Sequence, residues 1–245
     1  MSDTPIIKVE HITKNFKGLR AVNDLSLEIE AGKITGMIGP NGAGKSTTFN
    51  MICGYYPPSE GHIFYKGKDI TKCSPYEYTD MGIARTFQIM KPLATLPVLD
   101  NIVPAAFFGR NKAKNLKEAR EIAKEVLEFT GLYSKKDMIA GEMGTPDQKR
   151  LEMARALATK PEMLFLDECM AGLNPTETDQ AIELIHKIND GGVTVFLIEH
   201  IMRAVVNLCE KVIVLHHGEK IAEGTPDKVM NDPYVIEVYL GKKKE

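Results

Sequence analysis

Two short stretches hold residues able to do chemistry. The first is GPNGAGKST: Gly39, Pro40, Asn41, Gly42, Ala43, Gly44, Lys45, Ser46 and Thr47. Closely spaced glycines let successive backbone N–H groups turn inward and form an anion-binding nest. The spacing fits GxxxxGK[ST], in which the lysine reaches the β and γ phosphates of a nucleotide and the Ser/Thr hydroxyl ligates Mg2+. The second is LFLDE, residues 164–168, an apolar run that releases two carboxylates at its C-terminal end. Ligands of open α/β sheets bind at that edge. Asp167 suits the Mg2+ shell, and Glu168 is a candidate base for an attacking water. By themselves two acids at a strand end fit a solvated edge equally well; the glycine loop in the same chain is what turns them toward phosphate chemistry.

Three further features are weaker. His200 closes the run FLIEH. A strand-end histidine is ordinarily structural, but this strand is expected beside the one feeding the glycine loop, which puts a γ-phosphate contact in reach. Gln88, in RTFQIM, says nothing alone. GTPDQKRLEMARALA, residues 144–158, reads as a helix with Thr145 as N-cap, Pro146 at the first helical position and Gln148 placed for a capping box. Asp147 sets a carboxylate at the positive end of that helix, where phosphate could also be held.

The elements that must position these groups follow from periodicity. IIKVEHI, AVNDLSLEI and GHIFYKGKDI show partial two-residue alternation and are separated by the turns KG, AGK and KGK. ITGMI, residues 34–38, is nearly all apolar, runs into the glycine loop and is followed by the helix-like STTFNMICGY. Apolar strand, glycine loop and helix make the start of a parallel βα unit. Residues 75–160 are mostly helical in pattern; LKEAREIAKEVLEFTGLY carries apolar or small residues at 116, 119, 122, 123, 126 and 127, and Gly131 is a stop signal. MLFLD and VTVFLIE are two more buried strands, NPTETDQAIELIHKINDGG is an N-capped helix between them, and KVIVLHHGEKIAEG is a hairpin turning at His217-Gly218. The layout is an α/β core interrupted by a helical insertion.

Bulk composition excludes several classes. The chain has 245 residues, 43% hydrophobic and 26% charged, with a formal net charge of -2. That balance gives no electrostatic case for nucleic acid or anionic lipid. The terminal GKKKE reads as a solvated end. Cys53, Cys73, Cys169 and Cys209 have no metal-binding spacing, so reduced thiols are expected. MSDTPIIKVE lacks the features of a signal peptide, and VTVFLI is far too short to span a membrane.

Taken in order, GPNGAGKST, ARTFQ, a helix start before KRLEMARALATKP, LFLDE, AGLNPTE and LIEH resemble the ATP-binding-cassette (ABC) ATPases, over about Ile7 to Gly224. ARTFQ, ARALATKP, AGLNPTE, IEHIM and IAEGTP are most similar to the ATP-binding subunits of branched-chain amino acid importers. The resemblance implies an α/β P-loop NTPase fold: a RecA-like core, an N-terminal antiparallel β subdomain and an inserted α-helical subdomain. It implies one domain over residues 1–245, with the core at about 1–90 and 160–224, the helical part at about 91–159 and a tail at 225–245.

It also implies ATP and Mg2+, and roles. Phe16 matches the aromatic that stacks on adenine; residues 39–47 hold phosphate; Ser46, Gln88 and Asp167 match the Mg2+ positions. Lys45, Glu168, His200 and Gln88 match catalytic positions, Gln88 also facing the membrane partner, and Ala171–Asn174 match the D-loop. Such cassettes are dimers in which each ATP lies between one phosphate loop and the signature motif of the other subunit. The implied partners are a second cassette, as homo- or heterodimer, transmembrane permease subunits and, indirectly, a solute-binding protein, with no nucleic acid; the implied place is the cytoplasmic face of the cell membrane. The signature, usually LSGGQ or LSYGQ, aligns with Met143, Gly144, Thr145, Pro146 and Asp147. Here Gly144 has no hydroxyl, Pro146 has no N–H, and Asp147 opposes the incoming charge, while Thr145 offers a substitute hydroxyl. Cys169 stands where the family usually has proline. Three rivals remain: an exporter or lipid-extraction ATPase of similar sequence, a nucleotide-gated binding subunit with little turnover, and a soluble cassette acting on DNA or ribosomes, which no second cassette, coiled coil or basic excess supports.

Overall fold

The computed structural model describes residues 5–86, 92–110 and 112–240. Gln88 and the terminal GKKKE lie outside them. In chain order the elements are β1 (Pro5–Phe16), β2 (Leu19–Glu30), β3 (Ile34–Ile38), α1 (Lys45–Ile52), β4 (Glu60–Tyr65), β5 (Lys68–Asp69), α2 (Pro75–Asp80), β6 (Ile83–Arg85), α3 (Val98–Phe108), α4 (Leu116–Phe129), α5 (Thr145–Ala158), β7 (Met163–Asp167), α6 (Pro175–Asp190), β8 (Thr194–Ile198), α7 (Met202–Leu208), β9 (Lys211–His216), β10 (Glu219–Gly224), α8 (Pro226–Met230) and α9 (Pro233–Leu240). They form two compact units, Met1–Pro75 with Thr194–Glu245, and Tyr76–Val193.

The first unit contains an antiparallel sheet in the order β2-β1-β4-β5. Over Ile7–Val9 β1 alternates as an antiparallel strand with one solvated face should, with Ile7 and Val9 buried and Lys8 exposed. Beside it run β10-β9-β3-β8, with β3 parallel to both β8 and β9 and β10 turning back antiparallel. All five residues of β3 and all five of β8 are buried, which is why both read as nearly continuous apolar runs rather than alternating ones. Phe49 of α1 stacks on Phe196 of β8, ring centroids 6.2 Å apart, and so seats the helix on the sheet. The β9–β10 hairpin turns at His217 (φ 48°) and Gly218 (φ 82°), the two positive φ values that a tight hairpin of matching twist requires.

The second unit pairs β6 with β7 in parallel and surrounds an apolar cluster from three helices: Val98, Ile102 and Ala106 of α3, Ala119, Ala123 and Leu127 of α4, and Leu151, Ala154 and Ala158 of α5. The α4 spacing is the helical face read from sequence, except that Leu116 is 57% exposed. Asn101, buried in α3, ties down the preceding loop: its Oδ1 accepts from Leu93 N–H at 2.7 Å, and its Nδ2 donates to the carbonyls of Leu93 and Pro97.

Several expectations need correction. β6 falls inside the stretch read as helical; three residues are too few to show a period. Residues 226–240 are two helices rather than a tail. β8 ends at Ile198, so His200 lies beyond the strand end instead of closing it. Among the described residues no helix is long and apolar enough to cross a membrane, and all four cysteines are free thiols.

Gly36 of β3 marks the closest approach in the first core, because a Cβ there would lie 2.6 Å from Cys209 Sγ. Burial, helped by the charge of Glu199, pushes that thiol up to about 12. Gly36→Ala should therefore cost about 1–3 kcal/mol by overpacking, measured by urea unfolding. Adding Cys209→Ala should recover part of that loss, and a purely additive pair would show that the contact is not the cause.

Candidate functional site

Gly39, Gly42 and Gly44 have φ of 154°, 80° and 95°, in or near the left-handed region that only glycine enters at little cost. Gly44 is the N-cap of α1, whose first turn carries no acidic residue, so the partial positive charge of the helix start is unopposed. Ala43 N–H donates to Pro40 O at 3.2 Å, closing the loop on itself. Lys45 Nζ lies over the loop and donates to Gly39 O at 2.8 Å and Pro40 O at 3.0 Å. Ser46 is exposed in the first turn of α1. Elements outside the loop hold it from two sides: Gly218 N–H donates to Ala43 O at 3.0 Å, and a Cβ on Gly44 would meet the Ala21 carbonyl at 2.6 Å.

The Ala21 contact also brings in Phe16. Phe16 pairs with Leu19 across the β1–β2 turn, close in sequence to Ala21, so the aromatic and the loop share one corner of the unit. Its ring is 41% exposed and meets Tyr56 edge-on at 5.7 Å, with Lys14 Nζ 5.4 Å from its centroid. His200 belongs to the same unit. β3 and β8 are in parallel register with Met37 opposite Ile198, so Gly39 and His200 each lie just past the C-terminal ends of neighbouring strands. His200 is exposed, and its N–H donates to Glu199 Oε2 at 3.3 Å.

Asp167 and Glu168 lie in the second unit. Asp167 ends β7, is 5% exposed, and donates its N–H to Thr86 Oγ1. Glu168 has φ 47°, so the chain bends sharply there; its carbonyl accepts from Ala171 N–H at 3.2 Å and from Lys149 Nζ of α5 at 3.1 Å. The 171–174 turn ends in a full capping box: Asn174 accepts from Glu177 N–H and Glu177 accepts from Asn174 N–H. Nothing in the structure explains cysteine rather than proline at position 169.

The start of α5 differs from its expected form. The N-cap is Gly144, extended at φ −67° and ψ 160°, with no side-chain cap. Thr145 is already helical, and Gln148 spans no capping box; its Nε2 donates to Met143 O at 2.9 Å. Once Gly144 supplies an extended cap, the threonine hydroxyl is released and lies exposed. Asp147 does not stand as an unopposed charge, because its carboxylate is paired with Lys135 Nζ from a short 3-10 turn at Tyr133–Lys135. Sequence analysis missed Lys135, as no periodicity links it to α5. Gln88 lies outside the described residues.

A buried parallel strand, a glycine loop at positive φ and a helix started by Lys45 define a P-loop nucleotide-binding protein. The sequence matches the family described as ABC transporter over residues 22–171 and the one described as Branched-chain amino acid ATP-binding cassette transporter over residues 219–245. It is 37% identical, over 97% of this chain and 98% of the relative, to the high-affinity branched-chain amino acid transport ATP-binding protein BraF of Pseudomonas aeruginosa. A crystal structure of the ADP conformation of an ATP-binding cassette of an ABC transporter is similar at TM-score 0.89 and 34% identity, covering 98% of this chain and 100% of that one. A dimeric cassette in a post-hydrolysis state, bound to ADP and Pi, is similar at TM-score 0.81 and 26% identity, covering 90% and 98%. The chain belongs to the ABC transporter family.

The capping box offers a direct check on the turn after Glu168. Asn174→Ala should cost about 1 kcal/mol in urea unfolding, and Asn174→Asp should cost much less, since aspartate caps as well as asparagine.

Proposed function

We propose that this chain is the ATP-hydrolysing subunit of an importer for branched-chain or related amino acids, working as a single cassette domain on the cytoplasmic face of the membrane. The observation that carries this reading is the loop at 39–47, with its positive-φ glycines, unopposed helix start and overlying Lys45. Backbone N–H groups of the loop and the Lys45 ammonium bind the β and γ phosphates, and Phe16 takes the adenine. Ser46 and Asp167 are hard oxygen donors of the kind that Mg2+ accepts beside phosphate and water; among the described residues no group of three or more His, Cys, Asp or Glu is arranged to hold an ion unaided. An Mg2+ ion held by these oxygens would supply charge neutralisation on the phosphates. Glu168 takes a proton from the attacking water, and His200 contacts the γ-phosphate.

Hydrolysis needs a second cassette, and transport needs permease subunits with a solute-binding protein beyond them. The reading places the permease contact, with Gln88, around the loop before α3. Leu93 and Leu96 are exposed there although apolar. The loop is backbone-bonded to the segment that leads into the signature: Ala140 N–H donates to Leu96 O and Gly141 N–H to Ala94 O, both at 3.0 Å. A push on the loop therefore reaches residues 144–147 through a short, hydrogen-bonded path.

A second reading is favoured by the start of α5. Pro146 removes an N–H and Gly144 a hydroxyl from the surface that faces the opposite ATP, so this chain's signature grips phosphate weakly. The functional dimer is then asymmetric: this chain brings a complete phosphate loop, Glu168 and His200, and a different cassette lays an intact signature over Lys45.

ATP hydrolysis by the purified chain with Mg2+ tests both, with Lys45→Ala as the blank. Glu168→Gln should lose about 100- to 10,000-fold in turnover and keep nucleotide binding. Replacing Gly144, Pro146 and Asp147 together by Ser, Gly and Gln should raise turnover by about 10- to 100-fold, the equivalent of one charge-assisted hydrogen bond. A native chain as fast as that variant would overturn the asymmetric dimer.

A further inference from the structure

The strand that carries the acids leaves its ladder just before the bend. β6 and β7 pair in parallel as far as Arg85 opposite Phe165. Thr86 extends that hold: its N–H donates to Phe165 O at 2.9 Å, and its Oγ1 accepts from Asp167 N–H at 3.4 Å. Glu168 is the first residue past β7, and it takes φ 47°. A residue other than glycine keeps a left-handed conformation only where its surroundings over-determine it. Cys169 and Met170 are buried just beyond it and fix where the chain goes next.

Two donors meet the Glu168 carbonyl: Ala171 N–H at 3.2 Å and Lys149 Nζ at 3.1 Å. A carbonyl oxygen has two lone pairs, and one partner is enough to satisfy it. Ala171 supplies that partner from within the same turn. The ammonium is therefore not needed to satisfy the oxygen; it adds a charge-assisted bond from a separate element. One donor from the turn and one from a helix fix the plane of the 168–169 peptide, where the turn alone would let it rock. That plane sets the backbone at Glu168, and the backbone sets where the carboxylate starts. Lys149 is itself carried on a fixed element, because Leu151, Ala154 and Ala158 of α5 lie in the apolar cluster of the second unit.

We propose that Lys149 is a positioning residue for hydrolysis: its ammonium holds the Glu168 bend and so aims the carboxylate at the attacking water. The placement of the base then depends on α5, the helix capped by Gly144. The proposal rests on the reading that Glu168 takes a proton from that water. Lys149 touches neither water nor nucleotide in this role, so its removal should lower kcat and leave the KM for ATP unchanged.

The test compares the native full chain, Lys149→Met, Lys149→Arg, Glu168→Gln and the Lys149→Met/Glu168→Gln pair. Methionine keeps an unbranched apolar stem and removes the donor; arginine keeps a charged donor. Lys149→Met should lower kcat about 10- to 100-fold, the effect of a small misplacement at a reacting centre, with ATP affinity and the urea midpoint nearly unmoved. Lys149→Arg should recover most of that loss. In the pair, Lys149→Met should cost nothing further, because residues that act as one unit are not additive. Amide exchange at Ala171, read by NMR on alanine-labelled protein, requires no turnover and should be faster in Lys149→Met than in the native chain. An unchanged kcat in Lys149→Met, with Glu168→Gln slow, would overturn the proposal and leave Glu168 as the base. So would weakened ATP affinity in place of slowed turnover, a loss that adds in full to that of Glu168→Gln, or an Ala171 amide that still exchanges at the native rate. A Glu168→Gln chain as fast as the native one would remove the base reading and this inference together.

Discussion

Aiming several backbone N–H groups at one point is the constraint on which the first unit depends. A peptide that does so leaves those amides without partners inside the protein, and it must pass through backbone conformations closed to most residues. The chain meets the second demand with glycines at positive φ at positions 39, 42 and 44. It meets the first by bonding the outer side of the loop to the β9–β10 hairpin: Gly218 N–H donates to Ala43 O. The inner amides stay available because the outer groups are occupied. β3, β8 and β9 are buried and apolar because their task is to hold the two ends of this loop still.

The second unit solves a different problem. Its acids at the end of β7 need a rigid bend and its helices need a shared apolar core. Glu168 enters the left-handed region, and its carbonyl is held by Ala171 N–H and Lys149 Nζ. Lys149 comes from α5, the helix that begins at the proposed signature. The acid-bearing turn and the signature helix are therefore joined through one ammonium. Asp147, paired with Lys135, lies at the same helix start, so the first turn of α5 is close to neutral in charge. If this helix start grips phosphate as proposed, the missing amide of Pro146 weakens that grip more than the added carboxylate does.

The two departures at the signature have unequal consequences. A carboxylate can be offset by a neighbouring cation, as it is here. A missing N–H cannot be restored by any side chain without moving the backbone. On the proposed reading, that asymmetry points to the choice of partner cassette rather than to loss of the nucleotide site.

What could be read from sequence alone is local. GPNGAGKST, the apolar runs of β3, β7, β8 and β9, and the hairpin at His217-Gly218 each depend on residues adjacent in the chain, and their periods and glycines expressed them directly. The helix cap was legible only to within one residue, because Thr145 and Gly144 compete for it and the backbone conformation of Gly144 decides. β6 was hidden by its three-residue length, and α9 by a composition that reads as a tail. The partners of Asp147 and Ala43 were invisible. Lys135 reaches Asp147 from a separate turn, and Gly218 reaches Ala43 from the β9–β10 hairpin. Sequence determined which backbone could turn toward phosphate. Only the tertiary structure decided which distant groups hold that backbone in place, since contacts across such separations come from the order of strands in a sheet and leave no period in the sequence.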